Sequence, residues 1–423
     1  MFATIIILLL FFLEIFLFVK KSKYFVQYTF LYATSITFIS YKLNFVFANQ
    51  GMLFFYFATL LMLVLKMRHF NKHLFFIILS IVAMFFYLVF LYLYRDADLT
   101  SDIDFIKHYY WGVLLFVVVS NYNVITINKF NNFLIWFVIL FSALGITQFV
   151  IPDVSDFFSI DMTKFGAKNQ DIFLRFIRVT GYVLKPANYG NFMAILITYI
   201  YSILISTKKT KKTLYITVLI LGIIATTLTG IRTSLFSLLI GLLLSSLVYN
   251  KRWLLGIISF AIIFYMVFWA SILDLGKHYD KSKETDTPLS RIANAIYLSE
   301  TEDVTKITTL KVSDYIIDEF YKSPTIGTGI KINNIQGLSI TDAYLLYHIV
   351  RFGILGLLII LFPYLYLLYL YRNNKYSKII LILFLILILQ TITDSGIFSN
   401  FSNPAFWIIL GVVFSKKKKY ELS

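Results

Sequence analysis

The sequence predicts an all-α, polytopic membrane protein of about 12–13 transmembrane helices, with one large external loop containing a short amphipathic helix. Three observations lead there. Of 423 residues, 59% are apolar and only 14% charged, where ordinary globular chains carry about 25% charge. The apolar residues are gathered into runs of the roughly 20 residues a helix needs to cross a hydrocarbon core. Between these runs lie short clusters of Lys and Arg, the pattern of juxtamembrane anchoring. A net charge of +16 distributed in this way argues for a lipid bilayer as partner and against nucleic acid. Cysteine is absent, which excludes disulfides, CxxC redox chemistry and thiolate metal sites.

In chain order the apolar runs fall at 2–19, 24–41, 46–65, 74–94, 111–127, 133–151, 189–206, 213–229, 234–249, 253–272, 343–371, 378–394 and 404–415. The first lacks a basic n-region and a small-residue cleavage site, so it is read as an uncleaved span. More than half of the 38 basic residues sit on one set of short loops: Lys20, Lys21 and Lys23; Lys66, Arg68 and Lys72; Lys129; Lys208, Lys209, Lys211 and Lys212; Lys251 and Arg252; Arg372, Lys375 and Lys378; Lys416 to Lys419. Glu421 is the single acid among them. The positive-inside rule makes this set, and the C-terminus, cytoplasmic.

The opposite side then holds three sizeable segments, 95–110, 152–188 and 273–342. The organisation is a transmembrane bundle over 1–272, a large external loop over 273–342, and C-terminal helices with a basic tail over 343–423. Within the loop, Ile307, Leu310, Ile316, Ile317 and Phe320 recur at helical spacing. Ser323-Pro324 closes that amphipathic helix, as Pro does just beyond a helix end. The cytoplasmic loops are too small to house chemistry, so any active site faces outward. No internal repeat suggests a transporter of inverted halves.

Three positions could carry that chemistry. Arg178 precedes the span at 189–206, and Arg232, in Thr229-Gly230-Ile231-Arg232, lies on a tight outer turn without an acidic neighbour in sequence. Each is either an interfacial arginine snorkelling to lipid phosphate or an anion clamp whose guanidinium grips phosphate bidentately. Two such arginines on one face suit an anion the size of a diphosphate. Asp342, at the outer edge of 343–371, is either a helix-cap carboxylate or a general base for an acceptor hydroxyl. Arg351 stands on that same span, about 13 Å further along the axis. Gly353, Gly356 and Pro363 make the span prone to tilt, close packing or a kink.

The five histidines form no ligand set. His69 and His73 belong to a cytoplasmic basic patch, and His348 lies within a span. No Walker loop, GxGxxG, GxSxG or HExxH occurs, so nucleotide-driven, dinucleotide, serine-hydrolase and zincin chemistries have no support.

Three blocks of residues together resemble the bacterial O-antigen polymerase and O-antigen ligase superfamily, the Wzy-like and WaaL-like proteins. The first is Arg178-Val-Thr-Gly181 with Pro186-Ala-Asn188. The second is Thr229-Gly230-Ile231-Arg232, where Ile231 replaces a small polar residue. The third runs Ser323-Pro324-Thr-Ile-Gly327-Thr-Gly329, Asp342-Ala-Tyr344-Leu345 and Phe352-Gly353-Ile354-Leu355-Gly356. Asp342 stands where the ligases carry histidine, which favours a Wzy-like polysaccharide repeat-unit polymerase.

The resemblance implies an enzyme of the bacterial cytoplasmic membrane that joins undecaprenyl-diphosphate-linked glycans at the outer leaflet, with no cofactor and no metal. A flippase and a chain-length regulator of the same pathway are its implied partners. It makes Arg178, Arg232 and Asp342 the catalytic residues; Lys185, Asn188, Arg291, Tyr344 and Arg351 are the expected substrate-binding residues. A ligase of the same superfamily, or a lipid-linked oligosaccharide flippase, are the alternatives. A transporter would concentrate charge at the membrane midplane, where Glu14 is the clearest acid.

Overall fold

The structure, a computed structural model, describes residues 2–42, 48–66, 72–95, 99–122, 126–151, 181–182, 186–206, 212–229, 231–254, 320–329, 344–370, 372–374, 376–393 and 402–415, with a few isolated positions besides. Its helices are α1 (Phe2–Val19), α2 (Phe25–Lys42), α3 (Ala48–Lys66), α4 (Lys72–Arg95), α5 (Leu99–Ser120), α6 (Ile127–Val150), α7 (Pro186–Ser206), α8 (Lys212–Thr227), α9 (Arg232–Tyr249), α10 (Tyr344–Leu370), α11 (Ser377–Thr393) and α12 (Ser402–Val413). No strand occurs among the described residues. Four stretches, Phe75–Arg95, Ile127–Val150, Ala187–Ser206 and His348–Leu370, are long and apolar enough to cross a membrane. The chain is an all-α membrane protein.

Twelve of the thirteen expected spans have a helix at their place. Most of 253–272 and of 305–321 lies outside the described residues, although the helical end at Phe320–Lys322 does stop at Ser323. The fifth span requires correction. Expected at 111–127, it runs Leu99–Ser120, so residues 99–110 are helical rather than part of a loop. Asp102, Asp104, Lys107 and His108 dilute the apolar signal there. Nothing in the segment breaks a helix, however, and Thr100, Ser101 and Asp102 are residue types that favour an N-terminal turn.

The chain divides into two compact units, Met1–Phe133 with Lys311–Ser423, and Leu134–Leu310. In the first, α1 and α2 form a hairpin. Lys21, at φ 50°, ends α1. Ser22 N–H donates to Leu17 O at 2.9 Å and Lys21 N–H to Phe18 O at 3.0 Å, the two bonds of a Schellman end. Tyr122, just past α5, donates its hydroxyl to Ser22 O at 2.9 Å. Burial removes that phenol from water and raises its pKa above the usual tyrosine value. α12, buried throughout, is pinned by Asn403. Its Nδ2 donates to Tyr109 O at 2.9 Å, and its Oδ1 accepts from the Tyr364 hydroxyl at 2.7 Å.

In the second unit α7 packs against both α8 and α9. Hydroxyl pairs mark the α7–α9 seam: Ser202 with Ser245 and Tyr201 with Ser246, each at 2.7 Å. In apolar surroundings such pairs fix register where apolar packing alone would allow sliding.

Candidate functional site

The strongest candidate is in the second unit, where α7 and α9 begin side by side. Pro186 opens α7, a position where the missing N–H costs nothing and the fixed φ is already helical. Arg232 opens α9. The two first turns are tied together. Ser234 Oγ donates to Asn191 Oδ1 at 2.8 Å, and a Cβ added to Gly190 would lie 2.5 Å from Ser234 Oγ. Only glycine permits that approach. Thr229 caps the preceding turn, donating to Thr226 O at 2.7 Å and accepting from Ile231 N–H at 3.2 Å.

Gly181 brings the end of the Arg178 block to the same region. Gln148 of α6 holds it from both sides: Gly181 N–H donates to Gln148 Oε1 at 2.9 Å, and Gln148 Nε2 donates to Gly181 O at 3.0 Å. Tyr189 of α7 donates to Phe141 O at 2.9 Å, and its ring lies against the Phe141 ring, centroids 4.6 Å apart.

This geometry has an electrostatic consequence. Each helix N-terminus carries about half a positive charge in its unsatisfied N–H groups. Ile231, the N-cap of α9, makes no side-chain cap bond. Adjacent N-termini, one led by an arginine, provide a setting suited to a phosphate-bearing ligand. Asn188 stands in the first turn of α7 and is half-buried.

Compared with protein-family models, curated proteins and solved structures, the chain matches none. The functional reading therefore rests on the residues and their geometry.

The first unit contains the third block, and there α10 is broken. Gly353 has φ 63° and ψ −178°, a conformation open essentially to glycine. The segment Ser323–Gly329 fills the break. Thr328 N–H donates to Val350 O at 2.9 Å and Gly329 N–H to Arg351 O at 3.1 Å, while Ile354 and Leu355 N–H donate to Pro324 and Thr325 O, both at 3.0 Å. The Tyr87 hydroxyl of α4 donates to Phe352 O at 2.7 Å and also meets Ile326 O. Backbone groups that the break would otherwise orphan are thus satisfied by protein. A Cβ on Gly353 would come within 2.4 Å of Gly327 N, and one on Gly327 within 2.5 Å of Arg351 O.

Arg351 is 4% exposed, with its guanidinium 5.4 Å from the Phe352 ring centroid. His348, also buried, stacks on the same ring at 5.7 Å and 4°. Tyr344 is the first residue of α10. Arg178, Lys185, Arg291 and Asp342 lie outside the described residues. The structure thus brings Asn188 and the start of α9 at Arg232 to one end of one unit, and Tyr344 and Arg351 to one helix of the other.

Sequence reasoning did not single out Tyr87, Gln148, Asn191 or Ser234. For Gln148 and Asn191 the available signal was a polar residue within or beside an apolar run, which in a membrane helix marks an interhelical contact. Tyr87 gave no signal among so many aromatics.

Proposed function

We propose that the chain polymerises undecaprenyl-diphosphate-linked oligosaccharide repeat units into O-antigen or capsular polysaccharide at the outer face of the cytoplasmic membrane. The observation that carries this reading is the pairing of the α7 and α9 N-termini, with Asn188 in one first turn and Arg232 opening the other. Such a pairing suits a diphosphate leaving group.

In this proposal Arg178 and Arg232 hold the diphosphate and stabilise the charge that develops on it as the sugar–phosphate bond breaks. Asp342 accepts the proton of the acceptor hydroxyl as the new glycosidic bond forms, and undecaprenyl diphosphate departs. Lys185, Asn188, Arg291, Tyr344 and Arg351 contribute to substrate binding. The clustered basic residues of the short loops and the tail keep the C-terminus cytoplasmic. The break in α10 lends no support to transport, because its backbone groups bond to Ser323–Gly329 and Tyr87 instead of facing a cavity.

The lipid-linked glycans of a deletion strain test the proposal. Single repeat units should accumulate on the carrier lipid. Full-length polymer on the lipid would identify a ligase, and accumulation restricted to the cytoplasmic leaflet would identify a flippase.

A further inference from the structure

Glu14 lies in the C-terminal half of α1, in Leu9-Leu10-Phe11-Phe12-Leu13-Glu14-Ile15-Phe16-Leu17, with none of its surface exposed. α1 packs on α2 and α3. From α2, the Thr29 hydroxyl donates to Glu14 Oε1 at 3.2 Å. The second carboxyl oxygen, Oε2, has no hydrogen-bond partner among the described residues.

Two phenols of α2 stand near the same carboxyl. Tyr28 uses its hydroxyl hydrogen on Leu10 O at 2.8 Å. The buried Tyr32 hydroxyl has no partner among the described residues. α3 offers no charged side chain between Phe54 and Leu65, and Tyr56 is its only titratable group there. Across the α1–α2 turn, Tyr122 donates to Leu17 O and Ser22 O. Of the basic residues of this hairpin, Lys20, Lys21 and Lys23 sit beyond the end of α1, a turn and a half or more from Glu14, and Lys42 closes α2, thirteen residues past Thr29.

One long hydroxyl bond is therefore what a fully buried carboxyl receives among the described residues. An ionised carboxylate is poorly tolerated in such a place unless a cation or several donors attend it. A neutral acid is tolerated, and it places an O–H on the oxygen that has no partner among the described residues.

We propose that Glu14 is a proton-binding site in the interior of the first unit. The carboxyl takes a proton from hydronium, releasing water, and holds it on Oε2, while Oε1 keeps the hydrogen bond from Thr29. When water reaches the site the exchange runs in reverse. This inference is independent of the glycan reading, since no residue assigned to the glycan site takes part.

The test uses the full chain purified in detergent, with infrared spectra recorded at neutral pH. Wild type should show the carbonyl stretch of a protonated carboxylic acid in apolar surroundings, and Glu14→Gln should lack it. Thr29→Val, which retains the acid, should shift the band as the hydrogen bond to Oε1 is lost. Dicyclohexylcarbodiimide, which adds across protonated acids in apolar sites without a leaving group, should label the Glu14 peptide, with labelling falling as pH rises. A carboxylate band in place of the acid band would overturn the proposal, as would a spectrum indifferent to both substitutions. Protection from labelling by sodium at constant pH would make this a cation site and would equally overturn it.

Discussion

Ser234 donates its hydroxyl to Asn191 Oδ1 at 2.8 Å, joining the first turns of α9 and α7. Ser234→Ala removes that bond and should cost about 0.6 kcal/mol, the average for interhelical hydrogen bonds in membranes, and no more than about 1.7. Gly190→Ala should cost more, about 1–3 kcal/mol, because its Cβ collides with the serine. The pair Gly190→Ala with Ser234→Gly should then lose less than the sum of the single variants. Denaturant titration in detergent, with Ser234→Gly also measured alone, checks these values.

The junction at Gly353 should discriminate among substitutions. Tyr87→Phe leaves Phe352 O without its 2.7 Å donor and should lower stability by about 1–3 kcal/mol while preserving the fold. Gly353→Ala and Gly327→Ala bring a Cβ against backbone within 2.5 Å, which no rotamer change relieves. Both should fail to accumulate as a monodisperse species in size-exclusion chromatography.

Arginine and lysine should not be interchangeable at 178 and 232. Lysine keeps the charge and loses the bidentate fork, so Arg178→Lys and Arg232→Lys should each slow polymer formation about 10²–10³-fold. Polymer length at equal expression reports this, and full activity in both variants would favour simple snorkelling.

Asp342→Asn separates a helix cap from a base. Asparagine caps about as well as aspartate but cannot take a proton, so the variant should insert normally and lose about 10²–10⁴ in rate. Asp342→His should keep part of the activity. Wild-type polymer from the asparagine variant would return Asp342 to a capping role.

Orientation is accessible because the chain has no cysteine. In intact cells, Lys209→Cys and Lys418→Cys should resist an impermeant thiol reagent, and Lys283→Cys should react. Reaction at 209 from outside would reverse the assignment of sides.

The helices were legible because crossing a bilayer imposes a length and a composition, and both are written locally. The first three turns of α5 escaped because Asp102, Asp104, Lys107 and His108 mask a segment whose backbone has no reason to leave the helix. The kink in α10 was legible in kind, though not in place. Of Gly353, Gly356 and Pro363, the break occurs at Gly353, while Pro363 lies in continuous helix. What decides is the supply of partners from Ser323–Gly329 and Tyr87, which no local periodicity reveals. The candidate site was legible as Asn188 and Arg232, two turn-flanking polar residues. Of their bridging pair, Asn191 stands out only as a polar residue in an apolar run, and Ser234 looks in sequence like ordinary helix filler.

The bond from Tyr87 to Phe352 spans 265 residues, and this sets an order of events during synthesis. At about 5–20 residues per second, α4 waits roughly 13–50 s before the carbonyl that receives its tyrosine has been made. The unit formed by Leu134–Leu310 is contiguous in sequence and can close within that interval. In the other unit α1 to α5 pack on one another, but the faces that receive α10 and α12 stay uncovered until those helices arrive. Ribosome-stalled chains ending near residue 340 should therefore carry a protease-resistant middle and a sensitive beginning, with protection of α4 arriving only after α10 has emerged.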